Sequence, residues 1–187
     1  STKQEQQELL NIVIVGGGAT GIEVAGILSE MKKFVLPNDY PDMSSSLMHI
    51  YLIEAGPRLL AGMSEESSAH AEQFLREMGV NILLNKRVVD YRDHKVVLED
   101  GTEIATRTFI WVSGVTGVTI GNLDASLIGR GGRIKVDSFN RVEGMNNVFA
   151  IGDQCIQLAD ENYPNGHPQL AQVAIQQGEL LAKNLIR

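Results

Sequence analysis

Residues 11–21 read NIVIVGGGATG, and this stretch decides the fold. Asn11–Val15 is a short apolar run with no polar alternation, the pattern of a strand buried on both faces of a parallel sheet. Gly16-Gly17-Gly18-Ala19-Thr20-Gly21 then matches G-x-G-x-x-G at Gly16, Gly18 and Gly21. In that motif the first glycine permits a tight turn, the second lets backbone approach a pyrophosphate, and the third allows close helix–strand packing. From about Thr20 to Lys33 the pattern is helical, with Ile22, Ala25, Gly26 and Ser29 on a face small enough to lie close on a sheet. The start of that helix offers N–H groups and a positive dipole end to phosphate.

Working outward, Pro37 and Pro41 sit in a polar stretch that reads as a long loop ending near Ser46. Leu47–Glu54 (LMHIYLIE) is the second strand, so the glycine motif has the strand–turn–helix–strand context of a dinucleotide site. Glu54 ends that strand, where an acid accepts hydrogen bonds from both hydroxyls of an adenosine ribose and repels a 2′-phosphate. NADH is therefore favoured over NADPH, with Arg58 near enough to keep NADPH open and Ala55 beside the acid. Ser64 is a helix N-cap followed by Glu65 and Glu66; Ala71, Phe74, Leu75 and Met78 form one apolar face, and Gly79 is the stop. Val80–Leu84 is a third strand.

The period then changes. Arg87–Tyr91, Lys95–Leu98 and Thr102–Ala105 read as a three-stranded antiparallel meander. Thr108–Val112 returns to a buried strand, and Ser113-Gly114-Val115 at its end is the loop expected to approach the dinucleotide. Trp111 reads as a core residue in preference to a wall of the nicotinamide pocket. A boundary near Gly117 separates a dinucleotide-binding domain, with residues 1–10 as a connecting segment, from residues 118–187. In the latter, Arg133–Val136 and Asn147–Ile151 are brief strand candidates, and Pro168 to Ile186 is a helix. The fold class is α/β: a Rossmann-like parallel sheet with an inserted antiparallel meander, plus a partial second domain.

Composition narrows the chemistry. A net charge of −7 disfavours nucleic acid and anionic membrane surfaces as partners. The one cysteine, Cys155, excludes an intrachain disulfide and a paired redox centre. His49, His70, His94 and His167 are scattered, without zinc-ligand spacing. No run of about 18 apolar residues spans a bilayer, and the polar N-terminus carries no signal-peptide pattern.

Five segments in order carry a family resemblance: GGGATGIEVAG (Gly16–Gly26), YLIEAGPRLL (Tyr51–Leu60), FIWVSGV (Phe109–Val115), NVFAIGDQC (Asn147–Cys155) and HPQLAQVAIQQG (His167–Gly178). Together they resemble type II NADH dehydrogenase, the single-subunit NADH:quinone oxidoreductase. The glycine loop and AIGDQC are common to many flavoproteins built from two dinucleotide-binding domains; Ala171–Gly178, AQVAIQQG, is the discriminating segment. The resemblance implies hydride transfer from NADH to FAD and onward reduction of a membrane quinone. It assigns Gly152 and Asp153 to the flavin's ribityl–phosphate portion, and Ala171, Gln172 and Gln176 to the flavin ring and quinone. Glu23 is assigned to the nicotinamide and to proton supply; the plain alternative is an acid that complements the helix dipole.

The same resemblance implies two nucleotide-binding halves and a membrane-anchoring C-terminus, whereas this sequence has one glycine loop. The chain therefore reads as a fragment that binds NADH weakly, binds little or no FAD and is inactive alone. The intact protein is expected to sit peripherally on the cytoplasmic side of the inner membrane, with the fragment soluble, and a homodimer stays open. The alternatives are the NAD-binding part of a soluble ferredoxin reductase-like flavoprotein, against which the glutamine segment argues, and a non-enzymatic NADH-sensing module.

Overall fold

The computed structural model describes residues 3–42, 44–118 and 120–186. The chain divides into two compact units, one ending at Gly114 and the other beginning at Val115.

The first unit begins with helix α1 (Lys3–Leu10), which runs directly into strand β1 (Asn11–Val15). The stretch expected as a connecting segment is thus helical from Lys3 to Leu10. The helix is tied down from a distance: the Arg107 N–H donates to the Glu8 carbonyl at 2.7 Å, and the Arg107 guanidinium bonds the buried Glu8 carboxylate at 3.1 Å. Helix α2 (Ala19–Glu30) follows β1, with Gly21, Ala25 and Ser29 buried at four-residue spacing. It does not give way to a loop. A π-helical turn, Met31–Val35, leads into helix α3 (Leu36–Asp39), so the helical path passes through Pro37. A proline in a helix interior lacks an N–H and presses on the carbonyl four residues back. Here the π turn widens the spacing before it, and Pro37 falls in the first turn of α3, where no donor is needed.

Strand β2 (His49–Ile53) stops one residue short of Glu54. Helix α4 (Glu65–Glu77) is capped by Ser64, whose Oγ accepts the Ser67 N–H at 3.1 Å. Leu75 faces the core, but Phe74 is 63% exposed, so the apolar face is narrower than expected. Then come β3 (Val80–Leu83), β4 (Val88–Arg92), β5 (Lys95–Leu98), β6 (Glu103–Ala105) and β7 (Thr108–Trp111).

The expected fold class is observed. A four-stranded parallel sheet has the order β3-β2-β1-β7, and β4-β5-β6 form the antiparallel meander. Ile14 joins a core with Ala25, Leu52 and Leu75 on the helical side, while Val13 and Val15 join Val96, Leu98 and Ile104 from the meander. Both faces of β1 are covered, which is why its sequence does not alternate.

In the second unit β8 (Ile134–Val136) pairs in parallel with β9 (Cys155–Gln157), and helix α5 spans Ala171–Leu185. Ile134, Val136, Val142, Ala150 and Cys155 form its core. The stretch 147–151 is not a strand. Its backbone is engaged by the preceding turn instead, through Val142 N–H to Val148 O at 2.9 Å and Ala150 N–H to Asn140 O at 3.0 Å, with one isolated bridge between Arg141 and Phe149. Helix α5 starts at Ala171 because Leu170 is still extended (φ −133°, ψ 147°).

Candidate functional site

The glycine loop is closed by its own neighbours at every glycine except one. Gly16 donates its N–H to the Ile53 carbonyl at 2.9 Å and has φ +119°, and a Cβ on it would stand 3.0 Å from the Ser113 nitrogen. Gly17 donates to Glu54 Oε2 at 2.6 Å, its carbonyl accepts the Leu60 N–H at 2.8 Å, and a Cβ there would meet Leu59 Cδ2 at 2.7 Å. At Gly21 a Cβ would sit 1.9 Å from the Gly16 carbonyl oxygen. Gly18 differs: it has ordinary extended backbone (φ −79°, ψ −176°), and a Cβ would meet nothing within 4 Å. It is also the N-cap of α2, and no side chain caps that helix. Ala19 and the exposed Thr20 open the first turn beside it. The loop therefore presents an open backbone surface and an uncapped positive helix end at the same place, the arrangement that receives phosphate.

Sheet order sets the flanks. Glu54 follows β2 on one side of this loop, and Ser113 follows β7 on the other. The second oxygen of Glu54, Oε1, accepts the Gly56 N–H at 2.6 Å. Ala55 is exposed beside it. Arg58 is turned to its own loop, donating to Met63 O at 3.0 Å and Ala61 O at 2.9 Å. Gly114 has φ +82°, and Val115, 63% exposed, opens the second unit. Trp111 is 55% exposed and is not a core residue: β7 ends there, and its indole N–H bonds the Ser113 carbonyl at 2.8 Å. Glu23 is the fifth residue of α2 and exposed; the first turn of that helix contains no acid, so the dipole reading of Glu23 does not apply.

In the second unit Gly152 has φ +66° and donates its N–H to Gln177 Oε1 at 2.7 Å. Asp153 is exposed, and its carbonyl accepts Gln169 Nε2 at 3.1 Å. Ala171 opens α5, and Gln172 and Gln176 are exposed on one face of it, four residues apart. Gln177 lies on another face and also approaches the Cys155 thiol at 3.6 Å. Burial pushes that thiol's pKa up, so it is a poor nucleophile at neutral pH. Sequence reasoning missed Gln177 as a separate contributor, although the helical period of AQVAIQQG separates it from Gln172 and Gln176. It also missed Asn140, which is buried at φ +62° and donates its amide to Ala150 O at 3.4 Å.

The pyridine nucleotide-disulphide oxidoreductase family model matches residues 1–178. The type II NADH:quinone oxidoreductase of Haemophilus influenzae is 33% identical over 98% of this chain, which covers 41% of that protein. The type II NADH:quinone oxidoreductase NdhA of Mycobacterium tuberculosis is 32% identical over 92% of this chain and 37% of its own length. Among solved structures, NDH2 from Plasmodium falciparum in complex with NADH superposes with a TM-score of 0.72 at 26% identity, covering 84% of this chain and 34% of that one. A ferredoxin reductase from Rhodopseudomonas palustris shares the fold, with a TM-score of 0.71 at 19% identity. The chain thus spans about two fifths of the length of curated relatives such as the Haemophilus protein.

Proposed function

The chain belongs to the pyridine nucleotide-disulphide oxidoreductase family, and from that premise we propose that it is the NADH-binding part of an FAD-dependent NADH:quinone oxidoreductase. One observation carries the reading: Gly16, Gly17 and Gly21 are closed by contacts within the chain, while Gly18 and the uncapped start of α2 face open space. That surface suits a pyrophosphate, and Glu54 at its side suits an unphosphorylated ribose.

Bound flavin would supply the acceptor for a hydride and the route of electrons to a quinone. The residues of this chain bind and orient. Glu54 holds the adenosine ribose, the backbone at Gly18–Thr20 holds the phosphates, and Ser113–Gly114 borders the far side. Ala55 lies at the ribose edge, and Arg58, engaged with its own loop, contributes no 2′-phosphate contact. Val115 continues the loop that approaches the dinucleotide; on the second unit Gly152, Asp153 and Ala171 are the flavin-side contacts, and the amides of Gln172 and Gln176 donate to a flavin or quinone carbonyl. Glu23 supplies a carboxylate at the nicotinamide end. In the intact protein, quinone reduction takes place peripherally, on the cytoplasmic side of the inner membrane. Among the described residues no helix is long and apolar enough to cross a membrane.

Titration calorimetry of the chain with NADH and NADPH tests the reading. Saturable NADH binding with NADPH clearly weaker is expected; no binding of either nucleotide overturns it.

A further inference from the structure

Trp111, the one tryptophan of the chain, stands half exposed at the end of β7, braced on one side and bonded on the other. Its ring meets Phe109 edge-on, 5.9 Å between centroids at 68°, and Phe109 stacks on Tyr91 of the meander at 4.8 Å and 11°. The Tyr91 hydroxyl donates to the Thr106 carbonyl at 3.2 Å, anchoring the ladder to backbone. With the ring held in this way, its single N–H reaches the Ser113 carbonyl at 2.8 Å.

The carbonyl it holds belongs to the loop that borders the glycine cradle. Val15 and Trp111 are register partners across β1 and β7, and the Val112 N–H donates to Val15 O at 2.9 Å. Ser113 N and Cα lie 3.0 and 3.1 Å from the point where a Cβ would stand on Gly16, so Ser113 touches the first glycine of the loop. The Ser113 C=O and the Gly114 N–H share one planar peptide, so fixing the carbonyl also fixes the direction of the Gly114 donor. Gly114, at φ +82°, takes a conformation that side chains rarely adopt.

Strand order says which half of a dinucleotide this loop serves. Glu54 and Ser113 flank the glycine loop from opposite sides. With the adenosine ribose at Glu54 and the pyrophosphate over Gly18, the second nucleoside lies on the β7 side. We infer that Trp111 is a positioning residue for the nicotinamide–ribose half of NADH, acting through its indole N–H on the Ser113–Gly114 peptide. The inference rests on the NADH reading above. It makes the meander part of the binding apparatus, because Tyr91 and Phe109 set the ring that sets the loop.

The test is W111F, which keeps an aromatic ring on the ladder and removes the donor. Titration calorimetry compares NADH with AMP, which carries the adenosine half alone, on wild-type chain and variant. NADH binding is expected to weaken about threefold to tenfold, the effect of one hydrogen bond, with AMP binding unchanged. Unchanged NADH affinity overturns the inference. So does an equal loss for NADH and AMP, which marks a merely structural role. W111Y, whose hydroxyl offers no ring N–H, repeats the comparison should W111F not fold. If the wild-type chain binds AMP but not NADH, the NADH reading itself fails and the inference falls with it, a result distinct from every variant-specific one.

Discussion

The Glu54 carboxylate accepts the Gly17 N–H through Oε2 and the Gly56 N–H through Oε1, both at 2.6 Å. The acid at the ribose position is therefore also a fastening of the glycine loop, with its remaining lone pairs directed away from these amides. Glu54→Ala leaves two partly buried donors unpaired and should lower stability by about 1–3 kcal/mol in chemical denaturation. Glu54→Gln keeps an acceptor and the shape but loses the charge. Its stability loss should be smaller, while its preference for NADH over NADPH should shrink in paired titrations. An unaltered preference in Glu54→Gln would remove the discriminating role and leave only the structural one.

Gly18 and Gly21 separate binding from folding. An alanine Cβ at Gly21 would lie 1.9 Å from the Gly16 carbonyl oxygen, against backbone that cannot swing aside. Gly21→Ala should destabilise the first unit by about 1–3 kcal/mol or more and lose nucleotide binding with it. Gly18 has backbone angles any residue adopts and open space at the Cβ position, so Gly18→Ala should be neutral or stabilising by about 0.4–1 kcal/mol. It should still fail to bind NADH, because the methyl group stands where the pyrophosphate approaches. Thermal melts and NADH titrations of the two variants check this; normal NADH affinity in Gly18→Ala would mean that the ligand does not use that surface.

What the sequence disclosed and what it hid divide by distance along the chain. The path from Asn11 through Gly21 into α2, and β2 beyond it, were legible because their determinants are local: an apolar run, glycines at fixed offsets, a helix face of small residues. The meander was legible for the same reason, since each strand pairs with the next. Helix α1 was not, because its carboxylate at Glu8 is met by Arg107, 99 residues on. Gln177 was not, because the amide it holds, at Gly152, lies 25 residues back. The passage through Pro37 depends on a π turn whose signal is weak in sequence. Trp111 misled for a geometric reason. An aromatic in a buried strand pattern belongs in the core, but β7 is the edge strand and Trp111 its last residue, and that position is a property of the sheet.

Gln177 carries the turn at Gly152. Its Oε1 accepts the Gly152 N–H at 2.7 Å, and the Cys155 thiol approaches the same oxygen at 3.6 Å. Gln177→Leu keeps the volume and removes the acceptor, and should cost about 1–2 kcal/mol as the partly buried amide is left unpaired. Gln177→Glu retains an acceptor oxygen and should recover part of that loss. Denaturation midpoints read both variants, and a leucine variant as stable as wild type would show that the Gly152 amide finds water instead.

Asp160 and His167 close the loop that leads into α5, and pH should reveal how much the carboxylate contributes. Asp160 Oδ2 lies 3.0 Å from His167 Nε2, and Oδ1 accepts the Asn162 N–H at 2.9 Å. Inside the loop the Tyr163 N–H donates to Asp160 O at 3.0 Å and the Gly166 N–H to Tyr163 O at 2.8 Å, while Arg133 Nη1 reaches the His167 carbonyl at 3.1 Å. The hydrogen bond from His167, and after it the Asn162 amide, hold the Asp160 carboxyl below the usual aspartate range. A carboxyl whose folded pKa is lowered stabilises the fold at pH values above its unfolded pKa and loses that contribution as pH falls through the folded value. Asp160→Asn should therefore be less stable than wild type at neutral pH, and the gap should close as pH falls from about 5 toward 2. Taking the difference between variant and wild type at each pH cancels the other carboxyls, which titrate in both proteins. Denaturation midpoints across that range read it directly. A gap that stays constant would mean that the ionised form of Asp160 adds nothing, and that the loop is held by its backbone bonds and the Arg133 contact alone.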